Sequence, residues 1–271
     1  MGKVIVCVAP VAHSTPAGIH NPLTPAEVAA ETVACARAGA ALVHLHVRDE
    51  AGRQTGELGA FKRTLDLIRA ESDIVIQGST GGLSDLSLAQ RCIALEEPRV
   101  ETASLNMGST NFDDTVYINT LPDIRYWAGR MRAANIQPEL EIFEAGMINN
   151  VRLLAEEGVL TPPLIFGLAL GFRGASPADA RHLCFLRNML PADASWGLSH
   201  HGMQDFGLLA VAVGLGAAVV RVGFEDGLAY APGRLAAGNV ELVAKLVEML
   251  TLLGLAPATP EEARIILGLA R

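Results

Sequence analysis

Positive charge is scarce in this sequence, and lysine is its rarest source. The 271 residues include 21 lysines and arginines against 29 aspartates and glutamates, which gives a formal net charge of −8. Non-specific nucleic-acid binding needs a basic footprint, so this balance argues against a nucleic-acid partner. The lysines are Lys3, Lys62 and Lys245. The first begins a predicted strand and the other two lie in predicted helices, so none is placed to form a Schiff base or a carbamylated metal bridge.

Cysteine and long hydrophobic runs are also limited. None of the four cysteines belongs to a C-x-x-C pair, and each stands in an apolar or helical context, which predicts reduced thiols. The first ten residues contain only a short apolar run that ends at Pro10, so we expect no signal peptide. The longest apolar stretch, 208–220, contains two glycines and is too short to span a bilayer. We therefore expect a cytoplasmic protein without a membrane partner.

Short β-branched runs alternate with longer segments of helical periodicity along the whole chain. The predicted strands are Val4–Ala9, Ala41–Val47, Ile74–Gln77, Val100–Leu105, Glu139–Phe143, Leu164–Ala169, Ala194–Ser199 and Ala218–Gly223. Eight strands, each followed by a helix, indicate an α/β fold with a parallel sheet, and this number of repeats favours a closed (β/α)8 TIM barrel. No linker or low-complexity segment divides the chain, which predicts one domain over residues 1–271.

Three predicted helix starts share one pattern, in which a capping serine or threonine precedes a proline. They are Thr24-Pro25-Ala26-Glu27, Ser176-Pro177-Ala178-Asp179 and Thr259-Pro260-Glu261-Glu262. In each of them an acidic residue at the third helical position can bond back to the cap. The last start follows the eighth predicted strand, so it predicts an extra C-terminal helix.

Two histidines, His44 and His46, lie at the end of the second predicted strand. Side chains at this spacing point to the same side of a strand, here toward the end of the barrel where active sites of this fold lie. Neutral imidazoles are common zinc ligands, so the pair predicts a metal site. The alternative is two hydrogen-bonded histidines at a polar end of the barrel.

The eighth predicted strand supplies a possible third ligand. Arg221, Gly223 and Glu225 share the inward direction if this strand stays regular. Glu225 can then complete a site of two histidines and one carboxylate, which leaves Asp226 free to act as a base. A buried Arg221 requires carboxylate partners. The alternatives are an ordinary acidic turn for the carboxylates and a structural ion pair for the arginine.

Polar segments at three other strand ends are also candidates. Ser79-Thr80-Gly81-Gly82 follows the third strand, and its glycines let backbone amides approach a carboxylate or phosphate. Ser104 and Asn106 end the fourth strand and are similar in kind. His200 and His201 follow the seventh strand, where neighbouring side chains point in opposite directions, so at most one of them enters the site.

These motifs together resemble the β-keto acid cleavage enzyme family, which includes 3-keto-5-aminohexanoate cleavage enzymes. The matching segments are NPLTP at 21–25, HLHVRD at 44–49, STGG at 79–82, SLNMGSTNF at 104–112, PELEIFEAG at 138–146 and RVGFEDG at 221–227. They run along nearly the whole chain. The resemblance implies a (β/α)8 barrel with one zinc ion per chain, bound by His44, His46 and Glu225.

The resemblance also implies a reaction, in which a β-keto acid and acetyl-CoA give acetoacetate and a new acyl-CoA. It implies Asp226 as the general base, tuned by Arg221, with Glu141 as an additional catalytic carboxylate. Ser79 would contact the carboxylate of the substrate. The further candidates for substrate binding are Thr80, Gly81, Gly82, Ser104, Asn106 and Ser14. By analogy with the family, we expect a homotetramer.

The loop after the first strand departs from family members that act on aminated keto acids, which carry an acidic residue there. Residues 11–16 read VAHSTP, without a carboxylate. We therefore expect a substrate with an uncharged tail, apolar or hydroxylated, and a contact from Ser14. The alternative function is a metal-dependent hydrolase or a class II-type aldolase or lyase on the same barrel. Amidohydrolases, however, place their HxH pair on the first strand and often use a lysine.

Overall fold

The computed structural model describes residues 2–82 and 85–269, and eight strands within these ranges form a closed ring. They are β1 Lys3–Val8, β2 Leu42–Leu45, β3 Val75–Gly78, β4 Thr102–Asn106, β5 Gln137–Ile142, β6 Ile165–Leu170, β7 Ser195–His200 and β8 Val219–Val222. Neighbouring strands are parallel, and the pairing of β8 with β1 closes the ring. Each strand boundary lies within two residues of its predicted position, so the predicted α/β barrel is confirmed.

Nine helices lie in the described part of the chain, and most of them follow a strand of the ring. Their bounds are α1 Pro25–Arg37, α2 Gly59–Arg69, α3 Leu88–Arg91, α4 Leu121–Ala133, α5 Ala145–Glu156, α6 Ala180–Met189, α7 Gly207–Gly214, α8 Asn239–Leu252 and α9 Pro260–Leu267. Thr24 caps α1 and Thr259 caps α9, each with a reciprocal bond from a glutamate at the third helical position. The predicted extra C-terminal helix is therefore confirmed.

The helix start predicted at Ser176 is wrong. Helix α6 begins at Ala180, and Asp179 caps it by accepting a hydrogen bond from the backbone N–H of His182. Ser176 instead donates its hydroxyl group to Glu144 Oε2 at 3.0 Å. Because Ser176 is bound to this distant carboxylate, the aspartate takes the capping role and the helix begins about one turn later.

Two groups of buried apolar side chains stabilise the barrel. The larger group lies between the strands and the surrounding helices and includes Val43 and Leu45 of β2. The smaller group lies inside the ring and includes Ile5, Leu42, Val75, Ile165 and Val219 with Ala263 and Leu267 of α9. Because these strand residues lie near the amino ends of their strands, α9 closes that end of the barrel. The polar side chains therefore gather at the opposite end.

Short strands outside the ring shape the loops. Thr110–Phe112 and Thr115–Tyr117 form an antiparallel hairpin after β4, and Ala229–Ala231 pairs with Arg234–Leu235 after β8. Ala256–Pro257 lies parallel to the start of β1. Among the helices of the described ranges, none combines the length and apolar character needed to cross a membrane.

Candidate functional site

Three side chains that can share one cation meet at the carboxyl ends of β2 and β8. Ligand atoms of His44, His46 and Glu225 all lie within 4.8 Å of one another. His44 Nε2 is 3.8 Å from Glu225 Oε1, and His46 Nε2 is 3.6 Å from Glu225 Oε2. Both distances are longer than a hydrogen bond, so the three groups face one another without bonding directly. The structure thus brings together the three residues that the sequence suggests as metal ligands.

A turn after β8, rather than a continued strand, places Glu225. Strand β8 ends at Val222, and Gly223 has a φ of 137°, a conformation that favours glycine. A Cβ atom at Gly223 would collide with the backbone of Ala9, and the N–H of Glu225 donates to the Ala9 oxygen at 3.2 Å. The condition of a regular strand up to Glu225 is therefore not met, yet the turn still directs this side chain to the histidines.

A buried ion pair lies beside the three ligand residues. Arg221 donates to both carboxylate oxygens of Asp226, at 2.8 Å from Nε and 2.5 Å from Nη2. Burial raises the pKa of Asp226, and the charge of Arg221 opposes this rise. Although burial also disfavours the charge of Arg221, Asp226 and Glu225 keep its pKa well above the usual value. Asp226 is thus fixed in orientation, and it binds a proton more readily than an exposed aspartate.

The protonation of the ligand residues suits a cation. Burial lowers the pKa of His44 to about 3, so its imidazole is neutral at physiological pH. Burial disfavours the charge of Glu225, but His46, His44 and Arg221 together hold the pKa of Glu225 below its usual value. A neutral imidazole and an ionised carboxylate both offer lone pairs, as metal ligands must.

Gln77, a residue that the sequence reasoning missed, connects His44 with Glu139. His44 Nδ1 lies 2.7 Å from Gln77 Oε1, and Gln77 Nε2 donates to Glu139 Oε2 at 2.6 Å. Gln77 is buried on β3, where it lies opposite His44 of β2. Its only signal in the sequence is its inward position on the third predicted strand, two residues before Ser79.

The turn after β3 forms a polar corner with Asn106 and Tyr117. Ser79 Oγ accepts a hydrogen bond from the N–H of Gly81 at 3.0 Å. The Tyr117 hydroxyl oxygen accepts from the N–H of Gly82 at 3.0 Å and from Asn106 Nδ2 at 2.9 Å. Asn106 Oδ1 is buried and has no hydrogen-bond partner among the described residues. Tyr117 was also missed, because only the folded hairpin returns it to this corner.

The other predicted contact residues are less directly involved. Thr80 donates its hydroxyl group to the Ser104 carbonyl at 2.6 Å, which joins the turn after β3 to β4. Ser104 Oγ is buried and lacks a hydrogen-bond partner within the described ranges. Ser14 is exposed in the loop after β1, and no hydrogen bond in the described part of the chain joins it to the ligand residues or the polar corner.

Glu141 completes the polar lining on the side of β5. It lies opposite Asn106 in the pairing of β4 with β5. Burial, followed by the charge of neighbouring Glu139, raises the pKa of Glu141 to about 8. Glu141 is therefore mostly protonated at neutral pH and can donate a hydrogen bond, unlike an ordinary glutamate.

Aromatic side chains from four loops border the polar corner, and we call Phe112, Phe143, Phe172 and His201 the aromatic wall. The ring of Phe172 stacks on Phe112 at 4.5 Å and on His201 at 4.4 Å. Phe143 lies 5.2 Å from Phe172, and Tyr117 joins the wall to the polar corner with its ring 4.9 Å from Phe112. Of the two adjacent histidines, His201 belongs to this wall, whereas His200 Nδ1 is buried without a hydrogen-bond partner in the described residues. The candidate site thus has an apolar side.

Sequence comparison places this arrangement among known proteins. A family model described as beta-keto acid cleavage enzyme matches residues 3–269. The 3-keto-5-aminohexanoate cleavage enzyme of Fusobacterium nucleatum is 35% identical over 257 residues, which cover 93% of each chain. The 3,5-dioxohexanoate:acetyl-CoA acetone transferase of Paraburkholderia graminis is 32% identical in an alignment that covers 98% of this chain and 96% of the relative.

Structure comparison finds the same barrel in a solved protein. A structure described as the ternary complex of ObcA with C4-CoA adduct and oxalate superposes with a TM-score of 0.79. It is 24% identical in sequence, and the match covers 92% of this chain and 67% of the other. At this identity the similarity supports the fold, whereas activity has to be argued from the site itself.

Proposed function

Because the chain belongs to the beta-keto acid cleavage enzyme family, we propose that it is a zinc-dependent acyltransferase that converts a β-keto acid and acetyl-CoA into acetoacetate and a new acyl-CoA. The observation that carries this proposal is the position of His44, His46 and Glu225 beside the buried pair of Arg221 and Asp226. A cation site next to a held carboxylate base is what removal of a proton beside a carbonyl group requires.

The donor set fits zinc. Two imidazoles and one carboxylate form a known ligand set of catalytic zinc, which keeps a fourth position for substrate or water. Ligand atoms of a tetrahedral zinc ion lie about 3.3–3.6 Å apart, since each is about 2.0–2.2 Å from the metal. The distances of 3.6 and 3.8 Å from the histidine Nε2 atoms to Glu225 are close to this value. When bound, zinc supplies a Lewis acid that polarises the keto group of the substrate.

Asp226 is the residue that moves the proton in this proposal. Its carboxylate removes a proton from the carbon between the two carbonyl groups of the β-keto acid, and the resulting carbanion attacks the thioester carbonyl of acetyl-CoA. The coenzyme A thiolate that leaves in this attack adds to the former keto carbon, and the bond from that carbon to the central carbon breaks. The proton then returns from Asp226 to the central carbon, which gives acetoacetate and the new acyl-CoA. Arg221 holds both Asp226 oxygens and balances the change of charge as the proton moves.

The polar corner is proposed to bind the carboxylate of the substrate. Ser79 provides a hydroxyl group there and Asn106 provides an amide group, while the N–H groups of Gly81 and Gly82 hold the turn by donating to Ser79 and Tyr117. Glu141, opposite Asn106, carries a proton at neutral pH and can donate a further hydrogen bond. Neutral donors of this kind orient a carboxylate while leaving its charge next to the cation site.

An uncharged substrate tail is supported by two features of the chain and by the name of one relative. The loop after β1 has no carboxylate at residues 11–16 that could bind an ammonium group. The aromatic wall offers an apolar surface beside the polar corner. The Paraburkholderia graminis relative is named for 3,5-dioxohexanoate, a keto acid whose tail carries no charge.

We propose a homotetramer in the cytoplasm as the working form, and light scattering on the purified protein can check its mass.

The test is an assay of zinc-loaded protein with acetyl-CoA and a panel of β-keto acids that differ only in their tails, with acetoacetate as the measured product. We expect formation of acetoacetate by the wild type and its loss in His46→Ala, together with loss of bound zinc. Keto acids with alkyl or hydroxyalkyl tails should react faster than those with amino or trimethylammonium tails.

Other results would replace parts of this proposal. Faster turnover of an ammonium-bearing keto acid would contradict the uncharged tail but leave the reaction in place. Cleavage of amides or lactones without acetyl-CoA would indicate a metal-dependent hydrolase, and cleavage of a keto acid without acetyl-CoA would indicate an aldolase or lyase.

A further inference from the structure

A buried chain of hydrogen bonds runs from the ligand residue His44 into the barrel interior. Gln77 Oε1 lies 2.7 Å from His44 Nδ1, and Gln77 Nε2 donates to Glu139 Oε2 at 2.6 Å. Gln77 is 2% exposed and His44 is 3% exposed, so water does not compete for the bond between them, whereas Glu139 is half-buried. The three residues come from β2, β3 and β5, so the chain crosses the barrel rather than following one strand.

The chemistry of Glu139 sets the direction of every bond in this chain. A carboxylate only accepts hydrogen bonds, so the group that Gln77 turns toward Glu139 is its NH2 group. The opposite side of the amide, its oxygen, then faces His44 and can only accept. His44 therefore carries its proton on Nδ1, and the lone pair of Nε2 is directed toward Glu225.

The barrel makes room for this arrangement. Gly167 of β6 lies beside Glu139, and a Cβ atom at Gly167 would collide with Glu139 Oε1. Inside the ring, burial raises the pKa of Glu139, and the charge of Arg221 and the hydrogen bond from Gln77 oppose this rise in favour of the carboxylate. An apolar residue in place of Gln77 or Glu139 would fill the same space but could not fix the imidazole of His44 by a hydrogen bond.

We propose that Gln77 and Glu139 are positioning residues that fix the Nδ1–H form of His44 and thereby strengthen metal binding. The inference rests on the proposed function, because it needs a metal at His44, His46 and Glu225. Residues that hold a metal-bound histidine through its second nitrogen typically contribute 10- to 100-fold to metal affinity. Gln77 acts through His44 and touches neither substrate nor metal in this proposal.

The test measures the dissociation constant of zinc by competition with a chelator, in the absence of any substrate. The variants are Gln77→Leu, which removes the amide, and Glu139→Gln, which keeps the shape but removes the carboxylate. Thr102→Val is the matched control, because Thr102 is buried opposite Gln77 across β3 and β4 and its hydroxyl group donates to the Gln137 carbonyl. Nitrogen-15 NMR of the zinc-free proteins, labelled at histidine, reports which nitrogen of His44 carries the proton.

We expect zinc affinity to fall about 10- to 100-fold in Gln77→Leu and by a smaller factor in Glu139→Gln, with no change in Thr102→Val. The Nδ1–H signal of His44 should be lost in Gln77→Leu, which a purely structural role would not produce. If Gln77→Leu does not fold, Glu139→Gln gives the decision, since it preserves the packing.

Two outcomes separate this inference from the proposed function. The inference is overturned, and the metal site is retained, if folded Gln77→Leu keeps the zinc affinity of the wild type and an unchanged His44 signal. If Gln77→Leu does not fold, the same result in Glu139→Gln overturns the inference. A wild-type protein that binds no stoichiometric zinc would overturn the metal site, and the inference would fall with it.

Discussion

Two adjacent carboxylates, Glu225 and Asp226, lie in opposite electrostatic environments. The histidines and Arg221 hold the pKa of Glu225 below its usual value in spite of burial, whereas burial raises the pKa of Asp226 in spite of Arg221. Neighbouring acids whose pKa values are driven apart divide their roles accordingly. Glu225 stays ionised, as its proposed role of metal ligand requires, and the raised pKa of Asp226 favours uptake of a proton.

At Glu141 the raised pKa makes stability depend on pH. The group is neutral in the folded protein up to a pKa of about 8, but in the unfolded chain it ionises near pH 4.5. Its contribution to stability is full below pH 4.5 and is lost as the pH rises through 8. We predict that metal-free Glu141→Gln gains at least about 1 kcal/mol over the wild type at pH 8.5, and little at pH 4.5. Urea unfolding at both pH values measures this difference, and parallel stability curves would contradict it.

The Tyr117 hydroxyl group supports the polar corner through Gly82 and Asn106. Loss of a buried hydrogen-bond partner costs about 1–2 kcal/mol. We predict that Tyr117→Phe raises KM for the β-keto acid about 5- to 30-fold with a smaller change in kcat. Tyr126→Phe is the control, because among the described residues the Tyr126 hydroxyl group in α4 accepts a hydrogen bond from Arg130 of the same helix. Steady-state kinetics at saturating acetyl-CoA measures both constants, and an unchanged KM would contradict a role of Tyr117 in substrate binding.

At the scale of elements, the sequence predicts the strands well because local signals are sufficient for them. Short apolar runs that alternate with segments of helical periodicity mark all eight within two residues. The pair His44 and His46 also follows from the alternation of side chains along one strand. A metal site could therefore be suggested from the residues of a single strand.

Other parts of the site depend on partners that are distant in the chain, and these could not be predicted. The start of α6 depends on Ser176 bonding to Glu144, which lies 32 residues earlier. Gln77 meets Glu139 only because β3 and β5 enclose the same interior. Tyr117 reaches Gly82 only through the folded hairpin. Sequence periodicity describes which side of a strand a residue occupies, but not which side chain it meets there.

The turn after β8 is the element on which the position of Glu225 depends. A side chain at Gly223 is disfavoured for two reasons, the positive φ of this residue and its close approach to the backbone of Ala9. We predict that Gly223→Ala destabilises the fold by about 2 kcal/mol or more and weakens zinc binding, because the turn must shift. Gly233→Ala is the control, since Gly233 has a φ of 77° but nothing near its missing Cβ. Thermal unfolding and zinc titration of both variants test this, and equal effects would contradict it.

At the scale of the whole molecule, the two ends of the barrel have different tasks. Leu267 of α9 is buried at the amino end, among the apolar residues inside the ring, while Ile265 on the same helix is 65% exposed. We predict that Leu267→Ala lowers the free energy of unfolding by about 2–5 kcal/mol, whereas Ile265→Ala changes it by less than about 0.5 kcal/mol. Both should keep their activity at low temperature, because the site lies at the other end. Urea unfolding of both variants measures the two changes in stability. A loss of activity in folded Leu267→Ala would contradict the prediction.

Closure of the ring also determines when His44, His46 and Glu225 come together during folding. Val8 of β1 pairs with Val43 of β2 on one side and with Val222 of β8 on the other, so β1 alone separates the histidines from Glu225. During synthesis the histidines leave the ribosome well before Glu225, because they precede it in the sequence by most of the barrel. In the proposed function, a nascent barrel has an incomplete set of metal ligands until β8 has joined β1, and binding of the ion would report that the ring has closed.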